Sequence, residues 1–165
     1  SRLSMTGQWV SMYSKQKNPV YDKVLYDGRM RFNEQILVSR QDGMRKALKA
    51  MRAGHPFYYL PDMDFGPADS IFVPFFGVPA ATIPGVPRLA KVAHARVVPC
   101  ITRMVPDGYE VMLSPAWENY PTDSAEKDTL RMNAFIEREV LKMPEQYYWL
   151  HKRFKTRPPG EARIY

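Results

Sequence analysis

Hydrophobic and polar residues along this chain follow two different periods. Segments in which apolar and polar residues alternate, as in half-buried strands, are separated by segments in which apolar residues recur every three to four positions, as in helices. The alternating segments predict strands over residues 8–13, 35–39, 57–60 and 72–76, and a hairpin of residues 96–104 and 109–113. The segments of helical period predict helices over residues 18–32, 42–54, 84–93, 124–142 and about 147–154.

The order of these elements predicts an α/β fold with a layered mixed sheet and flanking helices. The chain has 165 residues, 45% of them hydrophobic, which is enough for one domain to bury a core without disulfides or metal ions. We therefore expect a single domain over residues 1–165. The buried side of the longest helix is expected to carry Leu130, Ala134, Ile136, Val140 and Leu141.

Residues 71–87, with the sequence IFVPFFGVPAATIPGVP, are apolar but follow neither period. Their prolines remove backbone donors and are expected to block regular strand pairing. The same prolines interrupt the segment too often for a membrane-spanning helix. Two interpretations stay open: the segment is the wall of a groove for a long apolar ligand, or it is ordinary core joined to a proline-rich loop.

The net charge of the chain is +7, from 24 Lys and Arg residues and 17 Asp and Glu residues. The excess is concentrated in residues 1–52, which hold 11 basic and 4 acidic side chains. A basic surface favours an anionic partner, such as nucleic acid, anionic lipid, phosphate or an acidic carrier protein. Nucleic acid is disfavoured, because the cations follow no recognised motif and the apolar middle of the chain has no role in such binding.

Several familiar enzyme motifs are absent from the sequence. It has no phosphate-binding P-loop, no dinucleotide-binding glycine motif, no nucleophile elbow and no H-E-x-x-H zinc motif. His55, His94 and His151 are far apart in the chain, and none has a partner at metal-ligand spacing. Cys100 is the single cysteine, so an internal disulfide is excluded. No metal site built from these histidines is expected.

Asp62 and Asp64 follow directly on a predicted strand, where α/β proteins place many ligand contacts. Two carboxylates this close are able to bind a divalent cation or to orient a basic group. The alternative is that both are turn residues that cap backbone N–H groups before Gly66 and Pro67. The residues alone favour the turn-capping alternative.

A second cluster of charge lies near the end of the chain. Lys152, Arg153, Lys155 and Arg157 lie within six residues of one another, shortly after the aromatic residues 147–149. Aromatic rings beside cations suit a membrane interface, where the cations meet phosphate groups, and they also suit nucleic acid. A third interpretation is a solvated helix end, favoured by the helix dipole.

Taken together, six segments resemble the bacterial lipid A biosynthesis acyltransferases, the late lauroyl and myristoyl acyltransferases. They cover almost the whole chain, in the order and at the spacing of that family. They are residues 16–19 (QKNP), 27–32 (DGRMRF), 59–67 (YLPDMDFGP), 70–77 (SIFVPFFG), 97–99 (VVP) and 144–158 (PEQYYWLHKRFKTRP).

The resemblance implies a lysophospholipid-acyltransferase-like α/β fold on the cytoplasmic face of the inner membrane. It implies transfer of a fatty acyl chain from acyl carrier protein, where phosphopantetheine carries it, to a hydroxyl of a lipid A precursor. The implied partners are therefore the carrier protein, the lipid A precursor and the anionic inner-membrane surface, and no cofactor of the enzyme's own is implied.

One feature of the family is missing. Its chemistry depends on a His with Asp or Glu five positions later, but Leu60, Pro99 and Thr156 stand five positions after the three histidines of this chain. No catalytic residue is therefore assigned. The chain resembles the C-terminal portion of a longer enzyme whose N-terminal membrane helix and dyad segment lie outside it. A smaller departure is Ser14, where many relatives carry arginine.

The resemblance assigns supporting roles to four residues of the binding site. Arg29 and Arg31 match the Gly-Arg segment of the family and are expected to contact a phosphate or the dyad carboxylate. Asp62 and Asp64 match the Asp-x-Asp segment and are expected to position the acceptor or basic groups of the active site.

The remaining assignments concern apolar substrate and surface contacts. Phe75 and Phe76, with Val78, are expected to line the acyl channel. The four cations of the C-terminal cluster are expected to meet lipid headgroups or carrier protein. The alternative to an acyltransferase is a non-catalytic module that binds acyl carrier protein or anionic lipid without turnover.

Overall fold

A computed structural model of the chain describes residues 3–39 and 43–165. They form two compact units, Ser1–Tyr59 with Val92–Ala95 and Leu60–Lys91 with Arg96–Tyr165. The single domain expected over residues 1–165 stays a prediction.

The first unit is built on a three-stranded parallel sheet in the order β2-β1-β3. A 3₁₀ turn at Leu3–Met5 precedes it. Along the chain follow β1 (Val10–Tyr13), α1 (Pro19–Met30), β2 (Ile36–Ser39), α2 (Met44–Arg52) and β3 (Phe57–Tyr58). Val10 of β1 pairs with Ile36 of β2 and with Phe57 of β3. The strands are parallel because α1 and α2, which connect β1 to β2 and β2 to β3, each return the chain to the same end of the sheet.

Local sequence signals set the ends of both helices in this unit. Asn18 caps α1: its side-chain oxygen accepts hydrogen bonds from the N–H groups of Val20 (2.9 Å) and Tyr21 (3.2 Å), and proline occupies the first helical position. Gly54, with φ of 93°, ends α2. The N–H of His55 then reaches the carbonyl of Ala50 (3.1 Å), as in a Schellman motif.

The core of this unit lies between α2 and the sheet. Val10 and Val38 come from the strands, and Ala47 and Ala50 come from α2; all four are buried. Ile36, Met44 and Phe57 pack against them. The helix predicted over residues 42–54 is confirmed over Met44–Arg52, whereas Asp42, its first predicted residue, lies outside the described residues. By contrast, α1 buries none of its residues.

The second unit contains two antiparallel hairpins and the longest helix. Its elements are β4 (Ile71–Phe75), β5 (Val78–Thr82), the start of α3 (Gly85–Ala93), β6 (Cys100–Val105), β7 (Gly108–Leu113), α4 (Ala125–Lys142) and a 3₁₀ turn at Pro144–Gln146. The predicted hairpin around Gly108 is confirmed, with Val105 opposite Gly108. Ser124 caps α4 by accepting from the N–H of Lys127 (3.2 Å).

The proline-rich segment forms a regular hairpin, so the expectation that its prolines block pairing is wrong. Pro74 of β4 stands directly opposite Pro79 of β5. Hydrogen-bonded and non-hydrogen-bonded pairs alternate along an antiparallel ladder, so two facing prolines occupy a pair that needs neither N–H group. The turn is Phe76-Gly77, with φ of 50° and 75°, the left-handed backbone of a two-residue hairpin loop.

The buried side of α4 differs from the apolar side predicted for it. Leu130 and Leu141 are exposed, while Asp128, Thr129 and Asn133 are buried together with Met132 and Val140. The buried polar side chains have backbone partners: Asp128 accepts from the N–H of Thr122 (2.8 Å), and the Thr129 hydroxyl donates to the carbonyl of Ala125 (2.6 Å). The Asn133 amide donates to the carbonyl of Pro74 (3.0 Å). One turn further on, the Glu137 carboxylate accepts from the N–H of Phe76 (2.9 Å).

The helix predicted over residues 147–154 is also wrong. After the 3₁₀ turn the chain is extended at Tyr147, with φ of −75° and ψ of 146°, and it continues through turns. The backbone N–H groups of Trp149 and His151 bond within local turns. The side chains of His151 and Arg153 bond to Asp64 and to β5, and these long-range contacts hold the segment in a non-helical conformation.

The α/β class is confirmed. Within residues 3–39 and 43–165 the parallel and antiparallel strands lie in three separate small sheets. In the same part of the chain, no helix combines the length and the apolar character needed to span a bilayer.

Candidate functional site

The two carboxylates expected to form a site lie between β3 and β4. The structure joins them to residues 147–157, which follow the last 3₁₀ turn and which we call the C-terminal segment. Both lie in the second unit. These two stretches are the Asp-x-Asp block and the basic block that the sequence singles out separately.

Asp64 is the centre of this junction. It is 1% exposed, and its carboxylate accepts three hydrogen bonds. Oδ1 accepts from the N–H of Gly66 (2.8 Å) and from the hydroxyl of Thr156 (2.9 Å), and Oδ2 accepts from the N–H of Thr156 (2.9 Å). The Gly66 bond is the turn cap considered from the sequence. The two Thr156 bonds go beyond it, because they fasten the C-terminal segment to the Asp-x-Asp block.

Asp62 bonds to a different residue of the C-terminal segment. Burial raises the pKa of Tyr147, and Asp62 raises it further through its negative charge and by accepting a side-chain hydrogen bond from the tyrosine. Tyr147 therefore stays protonated and acts as the donor to the Asp62 carboxylate. Asp62 and Asp64 thus fix two ends of the same segment.

His151 lies between these two contacts. Its Nε2 accepts a hydrogen bond from the backbone N–H of Asp64 (2.7 Å), which requires the neutral imidazole. The pKa of His151 is lowered, first by burial and then by the positive charge of Lys155, against the opposing charge of Asp64; Arg153 lowers it further. Neutral His151 is thus the form that this geometry stabilises.

Arg153 lies in the interior, which corrects the expectation that it meets headgroups or carrier protein. It is 1% exposed, and its guanidinium donates to the carbonyl of Ala81 (2.7 Å) and to the hydroxyl of Thr82 (2.6 Å). It also lies over the ring of Phe75, 5.3 Å from the centroid. Burial lowers the pKa of Arg153, while Tyr147 and both aspartates oppose that effect. A side chain held this way has no surface to offer to a partner.

Arg157 also bonds within its own unit. It donates to the carbonyl of Pro79 (2.6 Å) and forms an ion pair with Glu161. Together, Arg153 and Arg157 cover the outer edge of β5, where an unpaired strand edge would otherwise expose its carbonyls. Of the four cations expected at a surface, Lys152 and Lys155 are the exposed ones.

Phe75 and Phe76 lie at the turn end of the β4–β5 hairpin. The Phe75 ring is fully buried, and it contacts the rings of Phe76 (4.8 Å), Tyr147 (6.0 Å) and Phe154 (6.1 Å). Phe75 is therefore core of the hairpin, beneath the C-terminal segment. Phe76 is half-buried, and its place in an acyl channel stays a prediction.

Arg29 and Arg31 lie in the first unit. Arg29 is in the last turn of α1 and Arg31 caps that helix. Both are exposed, and the Arg31 guanidinium lies over the Phe32 ring, 4.7 Å from its centroid. Their expected contact with a phosphate or a dyad carboxylate stays a prediction.

Four residues that hold the site together were not assigned a role from the sequence: Tyr147, His151, Thr156 and Asn133. Three of them lie in the PEQYYWLHKRFKTRP block, whose length and specificity mark it as functional. Their partners lie about 60 to 90 positions away; Asp64 and Thr156, for example, are 92 residues apart. No local pattern reveals such pairs.

The arrangement therefore positions the C-terminal segment. The Nε2 of His151 is engaged by a donor, and the Asp64 carboxylate already accepts three bonds. Across residues 3–39 and 43–165, no cluster of three or more His, Cys, Asp or Glu residues is arranged to hold a metal ion. The hydrogen bonds of Asp62, Asp64, Tyr147 and His151 set the geometry of the backbone here. Arg153 interacts with these residues through its charge and is itself bonded to β5.

A separate cleft of about 240 Å³ lies between the β6–β7 hairpin and the end of α4. Its wall includes Met104, Met112 and Met143, with Lys142 and Glu139 at one side. It is smaller than a usual ligand pocket of roughly 300–1,000 Å³. None of the residues expected to bind substrate borders it.

Comparison with known proteins explains why these segments occur together. The family described as bacterial lipid A biosynthesis acyltransferase matches residues 3–156. The chain is 40% identical, over 167 residues, to the lipid A biosynthesis lauroyltransferase of Escherichia coli (strain K12), covering 99% of this chain and 54% of that protein.

Two further relatives match to a similar degree. The lipid A biosynthesis myristoyltransferase of the same strain is 41% identical over 159 residues, which is 94% of this chain and 48% of that protein. A lipid A biosynthesis acyltransferase of Haemophilus influenzae (strain ATCC 51907 / DSM 11121 / KW20 / Rd) is 39% identical over 153 residues, 92% of this chain and 47% of that protein. The chain spans about half the length of these relatives, and with the family matched across residues 3–156 it belongs to the bacterial lipid A biosynthesis acyltransferases.

Proposed function

We propose that the protein represented by this chain transfers a fatty acyl group from acyl carrier protein to a hydroxyl of a lipid A precursor. The hydroxyl oxygen attacks the thioester carbonyl, a C–O ester bond forms and the C–S bond breaks. A general base takes the hydroxyl proton, and the phosphopantetheine thiol of the carrier protein leaves. Phosphopantetheine belongs to the donor, so the enzyme needs no cofactor of its own for this reaction.

The observation that carries this proposal is the family match over residues 3–156, joined to the way its two most specific blocks meet. The Asp-x-Asp block and the C-terminal block are far apart in sequence, yet Asp64 bonds to Thr156 through both carboxylate oxygens. A family signature whose parts converge on one buried network has the character of a preorganised site.

The general base of this reaction is proposed to lie outside these 165 residues. His151 is engaged as an acceptor, and neither it nor His55 nor His94 has a carboxylate five positions later. The chain spans about half the length of its relatives, which leaves room in a longer protein for a His-x₄-Asp/Glu dyad. Within this chain, Arg29 and Arg31 are proposed to bind phosphate or orient the dyad carboxylate.

Acyl carrier protein, the lipid A precursor and an anionic membrane surface are the proposed partners. The +7 charge of the chain supports this choice, because the carrier protein, the phosphorylated sugar and the leaflet are all anionic. The protein is proposed to work on the cytoplasmic face of the inner membrane, where an acyl carrier protein is available.

The second candidate, a module that binds carrier protein or lipid without turnover, rests on the same positive charge. It differs from the first in one measurable respect, since only an acyltransferase releases free carrier-protein thiol in the presence of acceptor. The specificity of the Asp-x-Asp and C-terminal blocks favours the acyltransferase, because binding of anions by charge alone does not require these two blocks to meet in a buried network.

Turnover of lauroyl or myristoyl carrier-protein thioester with lipid A precursor tests the proposal. The full-length protein should form acylated product, and its Asp64→Asn variant should lose more than tenfold in kcat/KM because the C-terminal segment loses its anchor. Asp69→Asn, at an exposed aspartate of the same loop, should react like the wild type.

The 165-residue chain alone should give no product above a heat-killed control. Product from this chain would place the base among His55, His94 and His151 and would overturn the base assignment. A full-length protein that binds the thioester but never transfers its acyl group would refute the acyltransferase proposal itself.

A further inference from the structure

The C-terminal segment begins with a tight turn at residues 147–151, which we call the aromatic turn. The N–H of Trp149 donates to the carbonyl of Tyr147 (2.9 Å), and the N–H of His151 donates to the carbonyl of Tyr148 (3.1 Å). The Trp149 indole N–H donates to the carbonyl of Pro144 (2.7 Å). Two backbone N–H groups therefore bond within the turn, and the indole bonds back to the 3₁₀ turn that precedes it.

Both flanks of the aromatic turn are anchored in the interior. On one side Tyr147 bonds to Asp62 and packs against the Phe75 ring. On the other side His151 accepts from Asp64 and Arg153 is buried against β5. The residues between these anchors are therefore held in place by the fold.

Three large apolar side chains nevertheless face solvent at the tip of this turn. Tyr148 is 62% exposed, Trp149 is 52% exposed and Leu150 is 85% exposed. Single exposed apolar residues are ordinary, but a contiguous apolar patch on an anchored element marks an interaction surface. Hydrogen bonds of the turn hold these side chains in exposed positions, where they do not gain the free energy of burial.

The charge around the turn selects the partner. Lys152 and Lys155 are exposed directly after it, and no acidic residue occurs between Gln146 and Gly160. An anionic leaflet attracts such lysines near its surface, while aromatic rings with a polar end settle at the headgroup level. Leu150 has no polar group to offer to a charged protein surface, but it suits the hydrocarbon boundary.

We propose that the aromatic turn inserts into the interface of an anionic lipid bilayer, with Tyr148, Trp149 and Leu150 among the headgroups and upper acyl chains and Lys152 and Lys155 on the phosphates. This deepens the proposed function, on which it rests for the expectation that the protein meets a membrane. It also divides the C-terminal cations by role: the two lysines contact lipid, and the two arginines hold the turn to β5.

Co-sedimentation of the 165-residue chain with vesicles tests the turn. The vesicles contain phosphatidylcholine with about one-third phosphatidylglycerol, and neutral phosphatidylcholine vesicles serve for comparison. Tyr148→Ser/Leu150→Ser should weaken binding to anionic vesicles at least tenfold. The matched control Tyr109→Ser/Leu113→Ser removes the same two exposed residue types from β7 and should bind like the wild type.

The lysines are tested with the same vesicles at low and high salt. Lys152→Gln/Lys155→Gln should weaken binding to anionic vesicles about tenfold at low salt and less at high salt, because salt screens the attraction. Binding to neutral vesicles should change little, because they carry no net charge to attract the lysines. Lys91→Gln/Lys127→Gln loses the same net charge elsewhere on the surface and should have a much smaller effect. Equal losses in both charge variants would overturn a specific role for the turn.

A fluorescent reporter in the full-length protein makes the test independent of overall affinity and of whether the 165-residue chain folds alone. In full-length protein whose other cysteines are replaced, including Cys100→Ser, a polarity-sensitive dye is attached at Leu150→Cys or, as control, at Leu113→Cys. Anionic vesicles should shift the emission to the blue at position 150 and leave position 113 unchanged. No acyl donor is present, so loss of turnover does not affect the result.

Two results of the dye experiment would overturn the proposal. One is an unshifted dye at position 150 while the protein co-sediments with the vesicles. The other is a dye that responds to acidic acyl carrier protein and stays unshifted with vesicles, which would make the turn a protein-docking surface.

Discussion

Replacing Asp64 by asparagine isolates the contact that joins the two family blocks. The substitution keeps the shape of the side chain but removes its charge and turns one acceptor oxygen into an N–H donor. Oδ1 already accepts from Gly66 and from the Thr156 hydroxyl, so the amide oxygen takes that position best. The amide nitrogen then faces the Thr156 N–H that Oδ2 accepts in the wild type, and two donors meet.

The expected cost follows from these three bonds. A buried N–H left without an acceptor costs about 1–3 kcal/mol, and the two remaining bonds lose the extra strength that a charged acceptor provides. Because Asp64 is only 1% exposed, water does not replace the lost partner. We expect the free energy of unfolding to fall by about 2–3 kcal/mol, which for a chain of this size lowers the Tm by roughly 4–12 °C.

Urea and thermal unfolding followed by circular dichroism measure this effect. Asp69→Asn serves as the control, because Asp69 is exposed and its φ of 59° is a backbone conformation that asparagine also tolerates. It should stay within about 0.5 kcal/mol of the wild type. If Asp64→Asn unfolded within about 1 °C of the wild type, the anchoring role of Asp64 would be refuted.

Two further predictions concern neighbours of Asp64. Folding lowers the pKa of His151 below its ordinary 6.5, so on acidification the unfolded chain binds this proton before the folded protein does. The stability due to neutral His151 is therefore present above pH 6.5, and it falls as the pH drops towards the pKa of the folded state. His151→Gln, which keeps an acceptor, should flatten this part of a pH series of urea titrations, and an unchanged slope would count against the His151–Asp64 bond. Arg153→Lys should lower stability by about 1–3 kcal/mol, because one ammonium cannot serve both Ala81 and Thr82 with the planar geometry of a guanidinium. Arg103→Lys, at an exposed arginine paired with Glu110, should cost much less, and equal losses would contradict the buried role of Arg153.

The sequence predicts those features whose causes are local. Asn18 followed by proline marks the start of α1, and Gly54 marks the end of α2 because glycine takes a positive φ without steric cost. The β6–β7 hairpin follows from alternation around Gly108. In each case the residues that determine the structure lie within about one turn of each other. The family resemblance predicts more than these local features, because it compares whole segments of sequence rather than the period of apolar residues.

Predictions from the sequence are wrong where the hydrogen-bond partners lie far apart in the chain. Pro74 and Pro79 were predicted to block strand pairing. Because they face each other at a pair of the ladder that uses no N–H group, their lack of an N–H costs no hydrogen bond. Asn133 and Glu137 are absent from the buried side predicted for α4, but the β4–β5 hairpin gives them a carbonyl and an N–H group as partners. Leu130 and Leu141 are apolar and were predicted to be buried, but their side chains are exposed in this unit.

The candidate site divides in the same way. Its chemistry could be named from the chain alone: two carboxylates after a strand, and a run of cations beside aromatic rings. Its roles were decided by tertiary contacts, because Arg153 and Lys152 are neighbours in sequence yet only the arginine finds Ala81 and Thr82, which lie more than 70 positions earlier. A buried charge is tolerated only where such partners supply hydrogen bonds to it. Those partners come from distant segments that folding brings together, which no local pattern of residues encodes.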